Sequence, residues 1–120
     1  MISSYRNTWA LRELFSMSQK YNFIALMVNP KPVSIGFNNM SKTHPVVSRY
    51  NPLQKLHCEI DCLHSAPYEK IKGSTIFLWR KKGNGFGMAK PCAMCENEMR
   101  KYGVKEVVYS TEIGFEIMKL

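Results

Sequence analysis

Apolar residues recur along this chain with two different periods, and the switches between them mark out the elements. Ala10, Leu14, Met17 and Tyr21 stand at the i, i+4, i+7, i+11 spacing of one helical face, widened by Leu11 and Phe15. Ser3, Ser4, Asn7 and Thr8 offer caps upstream, so a first amphipathic helix is predicted there. Phe23–Val28 is a short continuous apolar run, broken by Asn29-Pro30-Lys31-Pro32 before Val33–Phe37. That pattern predicts a buried strand, a turn and a second strand, paired antiparallel.

Residues 38–51 show no sustained period and are rich in Asn, Ser, Thr and Pro, which predicts a surface or pocket-lining loop. Asn51-Pro52 is a helix start, and Leu53, Leu56, Ile60 and Leu63 carry one helical face through His57. Ser74–Trp79 reads as a third strand ending in the basic run Arg80-Lys81-Lys82. Gly83, Gly85 and Gly87 then predict a mobile connection to Pro91, which opens a helix that Gly103 stops near Tyr102. Val104–Tyr109 is the fourth strand.

The order helix, strand, strand, helix, strand, helix, strand describes a sheet with helices packed on its faces, an α/β class in which the last two helices cross between parallel strands. Only eleven residues follow Tyr109, and a parallel fifth strand needs a crossover of about a dozen or more. If residues 113–120 form a strand, it must turn back antiparallel.

Size agrees with one domain spanning 1–120: 13.9 kDa suffices for one core but not two. The longest apolar run, Phe23–Val28, is far short of a membrane span, so no membrane partner is expected. Arg6, Arg12 and Glu13 interrupt any secretory core near the start, and a cytoplasmic protein with reduced thiols is the expectation. The net charge of +8 is uneven: residues 1–58 hold seven Lys and Arg against the single acid Glu13. Such an excess favours anionic partners, phosphate-bearing substrates or nucleic acid, over a neutral nucleoside.

The chemistry concentrates in two segments, His57-Cys58-Glu59 and Pro91-Cys92-Ala93-Met94-Cys95. Cys92 and Cys95 lie one helical turn apart at a helix start, where the partial positive charge favours thiolates. One imidazole and two thiolates, His57, Cys92 and Cys95, make a three-ligand zinc set that leaves a fourth position for water. Zinc lowers the pKa of such a water from about 15.7 toward about 7. Glu59 is then free to accept and return protons.

This H-x-E and P-C-x-x-C pairing resembles that of the cytidine and deoxycytidylate deaminase superfamily, and the resemblance covers most of the chain. It implies a three-layer α/β/α cytidine-deaminase-like fold with a mixed central sheet of four to five strands. It also implies one catalytic zinc per chain and hydrolytic conversion of a cytosine-type nucleotide to its uracil form with release of ammonia. Gly36-Phe37-Asn38 resembles the family's Gly-x-Asn, making Asn38 a candidate substrate contact, with Asn39 the lesser candidate. The backbone N–H of Cys58, in a place usually held by Ala or Val, resembles the donor to the base carbonyl, and Pro91 shapes the turn presenting Cys92. The segment after the cysteine pair looks like the deoxycytidylate branch, whereas an antiparallel last strand looks like the cytidine deaminase branch. Family members usually assemble, so a homo-oligomer is expected.

Three alternatives compete. The substrate is a nucleotide or nucleoside in the leading reading and a base in single-stranded DNA or RNA in the second. A third, of a different class, is a non-catalytic zinc-stabilised binding module, in which Cys58 and Cys62 join Cys92 and Cys95 in a closed four-thiolate site. Against that, Cys58 and Cys62 suit buried core positions. His44 and His64 read as turn or surface histidines before they read as ligands. Lys42, Arg49, Arg80, Lys81, Lys82 and Lys90 are phosphate candidates that also suit a solvated surface. Phe86 and Tyr109 are candidate base-stacking rings that equally suit local packing. Met88, Met94 and Met99 read as core fillers, and Trp9 and Trp79 as core or interface.

Overall fold

The computed structural model describes residues 23–37, 57–83 and 85–120. The expected first helix, the loop with Asn38, Asn39, Lys42, His44 and Arg49, the Asn51-Pro52 helix start and Trp9 lie outside them. Among the described residues six strands and three helices follow in the order β1 (Phe23–Val28), β2 (Pro32–Phe37), α1 (Cys58–Ser65), α2 (Tyr68–Ile71), β3 (Thr75–Lys82), β4 (Gly85–Phe86), α3 (Ala93–Lys101), β5 (Glu106–Thr111) and β6 (Gly114–Lys119).

The sheet runs β2-β1-β3-β5-β6, with the two-residue β4 added beside β3. β1 is antiparallel to both β2 and β3, so β2 and β3 point the same way and α1 and α2 cross between them over β1. β3 and β5 are parallel neighbours joined through α3. β6 returns antiparallel on β5, as the short remaining chain requires. In that pairing Glu106 faces Lys119, and the two side chains meet at 2.6 Å, helping to fix the register.

Alternate residues of the central strands feed two apolar clusters. Ala25, Met27, Ile76, Leu78 and Val107 face one side, where they meet Ile60 and Leu63 of α1, Ile71 of α2 and Cys95 and Met99 of α3. Ile24, Leu26, Phe77, Trp79 and Val108 face the other. All three described helices thus share one face of the sheet. Burying a side chain such as Ile60 or Leu63, both almost fully enclosed, contributes roughly 1.5–3 kcal/mol each to holding α1 down.

The segment around His57 departs from expectation. The predicted helix does not run through His57, which has extended backbone geometry (φ −87°, ψ 152°) and is the N-cap of a helix starting at Cys58, while Leu53 and Leu56 lie outside the described residues. Glu59 and Asp61 in the first turn suit the positive end of the helix dipole. Asp61 also reaches across to accept the Phe37 N–H at 2.9 Å, and Ser34 Oγ donates to the Cys62 carbonyl at 2.8 Å, lacing α1 to β2. The seam is tight at Gly36, where a Cβ would lie 2.2 Å from the Cys58 carbonyl oxygen and 2.3 Å from the Cys62 nitrogen. Only a residue without a side chain lets the helix sit this close.

α3 ends where the sequence indicates but begins two residues after Pro91, the predicted start. Cys92 is its N-cap, Glu96 lies in its first turn, and Arg100 and Lys101 lie in its last. Gly103, at φ 87°, turns the chain so that Val104 N–H bonds back to the Met99 carbonyl at 3.0 Å, the six-to-one bond of a Schellman stop.

Part of the glycine-rich connection pairs with β3 in a short antiparallel ladder that the sequence does not predict. β3 continues through Arg80, Lys81 and Lys82 because Lys81 and Lys82 pair with Phe86 and Gly85 across the turn at Gly83. Among the described residues no helix is long and apolar enough to cross a membrane.

Candidate metal centre

Two helix starts and one strand pair converge at the carboxyl ends of β3 and β5. Ala89 N–H bonds to the Ser110 carbonyl at 2.9 Å, and Ser110 Oγ donates to the Gly87 carbonyl at 2.8 Å, tying the approach to α3 onto β5. This brings Cys92, the N-cap of α3, beside His57, the N-cap of α1.

His57 Nδ1 lies 3.2 Å from Cys95 Sγ and 3.7 Å from Cys92 Sγ, and the three donor atoms all fall within 4.8 Å of one another. A tetrahedral zinc separates neighbouring sulfur and nitrogen donors by roughly 3.5–3.8 Å, so the 3.7 Å spacing fits and the 3.2 Å one would open by a few tenths of an ångström, with a donor chemistry that suits the metal. These three residues form a group that could hold a metal ion, as the sequence predicts.

Electrostatics within the group are strongly uneven. Cys92 is pulled down to about 4, first by its hydrogen bond to Cys95 and then by that to His57. Cys95 is pushed far up, because it holds the proton of that shared bond and is buried as well. The His57 imidazole is raised by its bond to Cys92, against the opposing effect of burial. The two sulfurs are thus pushed in opposite directions, Cys92 toward thiolate and Cys95 toward thiol, and a metal taking both as ligands would displace the remaining proton.

Glu59 stands outside the ligand group yet lines the same cavity, of about 270 Å³, together with His57, Cys58 and Cys92. It is buried, and desolvation raises its carboxyl above the ordinary range. Its Oε1 accepts a hydrogen bond from Cys58 Sγ at 3.1 Å. Burial, followed by the charge of Glu59, pushes the Cys58 thiol well up, so it stays protonated.

Cys62 does not join the metal group. Its sulfur lies 3.3 Å from Ser34 Oγ and 3.5 Å from the Ser34 carbonyl, facing β2, and burial raises its thiol to about 12. A closed site of four thiolates is thus not what the fold assembles. His64 sits at the far end of α1 with its ring edge-on to Tyr102 at 5.5 Å.

Several other candidates resolve on geometry. Phe86 packs 4.2 Å from Trp79 in the second apolar cluster, and Tyr109 is buried with its hydroxyl donating to Glu116 at 2.7 Å. Neither lines the cavity. Met88, expected as a core filler, is instead half-exposed at the cavity wall, because the strap from Gly87 to Lys90 runs over the pocket rather than into the core. Lys90 lines the cavity too, and Phe23, whose ring lies 5.2 Å beneath the Arg80 guanidinium, forms another wall. The Phe23, Leu78 and Ala89 walls carry no sequence signal, since core strands and pocket walls use the same apolar residues. Asn38 follows Phe37 at the end of β2 and lies outside the described residues.

No family model and no curated protein matches this sequence.

Proposed function

We propose that this chain is a zinc-dependent hydrolase of the cytidine and deoxycytidylate deaminase superfamily. Its substrate is a cytosine-type nucleotide, which it converts to the uracil form with release of ammonia. The observation that carries the reading is the company Glu59 keeps: a buried carboxylate shares one cavity with a His-Cys-Cys ligand group and is not part of that group. A structural zinc has no use for a proton carrier beside it.

His57, Cys92 and Cys95 would hold the zinc, which when bound supplies an acidified water as nucleophile. Glu59 would take one proton of the attacking water and pass it to the ring nitrogen next to the attacked carbon, then take the second proton of the same water and deliver it to the departing amine. Burial suits the task, since a raised carboxyl pKa lies closer to the working pH than that of an exposed glutamate. The Cys58 N–H, in the first turn of α1, has no intrahelical acceptor and is available to the base carbonyl. Phe23 and Ala89 offer apolar walls for a flat base, and Lys90 offers a cation for a phosphate. The finer architecture follows from the same reading: three layers, with a helical layer opposite α1 and α3, assembled as a homo-oligomer.

Glu59→Ala tests the reading directly. The zinc-loaded variant keeps its metal and fold while ammonia release from deoxycytidylate falls about 10²- to 10⁴-fold. Turnover at the wild-type rate would remove Glu59 from the mechanism. The basic excess of residues 1–58 suits a second substrate equally, a base within single-stranded DNA or RNA. Activity on an oligomer but not on the mononucleotide, with steeply salt-dependent binding, identifies that case.

A further inference from the structure

Cys58 lies between a ligand residue and the proposed proton carrier, and it belongs to neither role. Its side chain is 3% exposed, it lines the cavity, and its thiol donates to Glu59 Oε1 at 3.1 Å. The metal group assembles without it, from His57, Cys92 and Cys95. A glutamate has three side-chain torsions, and one held by nothing explores several rotamers that point its oxygens away from a reacting atom. Among the described residues two donors reach the Glu59 carboxylate, its own backbone N–H and the Cys58 thiol, and only the thiol comes from another side chain.

We propose that Cys58 is a positioning residue for Glu59. Its S–H anchors Oε1 and fixes the carboxylate plane, leaving the second oxygen for proton transfer. This role rests on the deaminase reading given above. A thiol suits it because the S–H is a weak donor: it orients the carboxylate and leaves most of its basicity in place. The carbonyl of the same residue packs against Gly36, so the anchor sits on backbone that the β2–α1 seam holds in place.

Three chains decide the matter when loaded with zinc: wild type, Cys58→Ala and Cys58→Ser. With deoxycytidylate as substrate, Cys58→Ala lowers kcat about fivefold while KM and bound zinc stay at wild-type values, and Cys58→Ser, which keeps a donor, returns kcat to within about twofold. An infrared difference spectrum, wild type minus Cys58→Ala, isolates the Cys58 S–H stretch without needing turnover. That band shifts to higher frequency in Glu59→Ala, where its acceptor is gone. A serine variant no faster than the alanine variant, an unchanged kcat in both, or a band indifferent to Glu59→Ala overturns the positioning role. A zinc-loaded wild type that releases no ammonia from any pyrimidine nucleoside, nucleotide or oligomer overturns the deaminase reading and this role with it. That outcome is distinct from an active enzyme that ignores Cys58.

Discussion

Replacing Gly36 by Ala should damage the metal centre from a distance, and the size of the effect follows from the seam between β2 and α1. The added methyl would meet the Cys58 carbonyl oxygen at 2.2 Å and the Cys62 nitrogen at 2.3 Å, both backbone atoms that cannot swing aside as a side chain could. Relief requires α1 to move off β2 by about 1 Å, at the upper end of overpacking costs, roughly 3 kcal/mol. At an open strand position the same change would be mildly stabilising, by about 0.4–1 kcal/mol, so the sign itself is diagnostic. For a domain of this size the loss lowers the melting temperature by about 10 °C. His57 caps the displaced helix, and metal–ligand distances tolerate only about 0.2 Å, so zinc affinity falls as well. Thermal unfolding by circular dichroism and zinc competition against a chelator measure the two effects, with Gly85→Ala, whose methyl meets nothing, as control. A Gly36→Ala protein that melts within a degree or two of wild type and binds zinc equally well would refute the tight-seam argument.

Three further outcomes are expected. Zinc affinity rises with pH, by at least roughly tenfold per unit while Cys95 and a raised His57 still hold protons, because binding needs a second thiolate and a neutral imidazole. Chelator competition near pH 6 and pH 8 checks this, and equal affinities would contradict the proton inventory of the group. The double variant Cys58→Ala, Cys62→Ala keeps one zinc per chain by elemental analysis, since neither sulfur belongs to the ligand group; loss of the metal would revive the four-thiolate site. Asn29→Ala removes bonds from Nδ2 to the Lys70 and Lys72 carbonyls, at 2.9 and 3.1 Å, which clamp the β1–β2 turn to α2. It costs about 1 kcal/mol in denaturant unfolding and leaves zinc stoichiometry intact, whereas unaltered stability would show the clamp to be idle.

Much of this architecture is legible in the sequence because local patterns and chain length constrain it. β1 and β2 follow from two apolar runs around a Pro-rich break, and the antiparallel course of β6 follows from there being too few residues for a crossover. The ligand group is legible as well, since Pro-Cys-x-x-Cys puts two sulfurs on one turn and His57 needs only a second helix start nearby. What escapes the sequence depends on partners far along the chain. β3 outlasts its apolar run because Lys81 and Lys82 find β4 across a turn, and α2 is too short to show a period. The break at His57 is invisible to a helical template that counts only apolar spacing. The burial of Glu59, the thiol bond from Cys58 and the clearance at Gly36 arise only when β2, α1 and α3 pack together.

The unequal settings of the two ligand sulfurs bear on how the protein must be handled. Cys92 is exposed and its thiol is pulled well below the ordinary cysteine range by its bonds to Cys95 and His57, while its neighbour Cys95 is buried and pushed up. Stripped of metal, such a pair is an accessible nucleophile next to a second thiol, the starting point for disulfide closure under air. An oxidised pair has no thiolates to offer, so a preparation exposed to chelator without reductant would lose its capacity for zinc until reduced. A metal bound at this group would shield both sulfurs from oxygen.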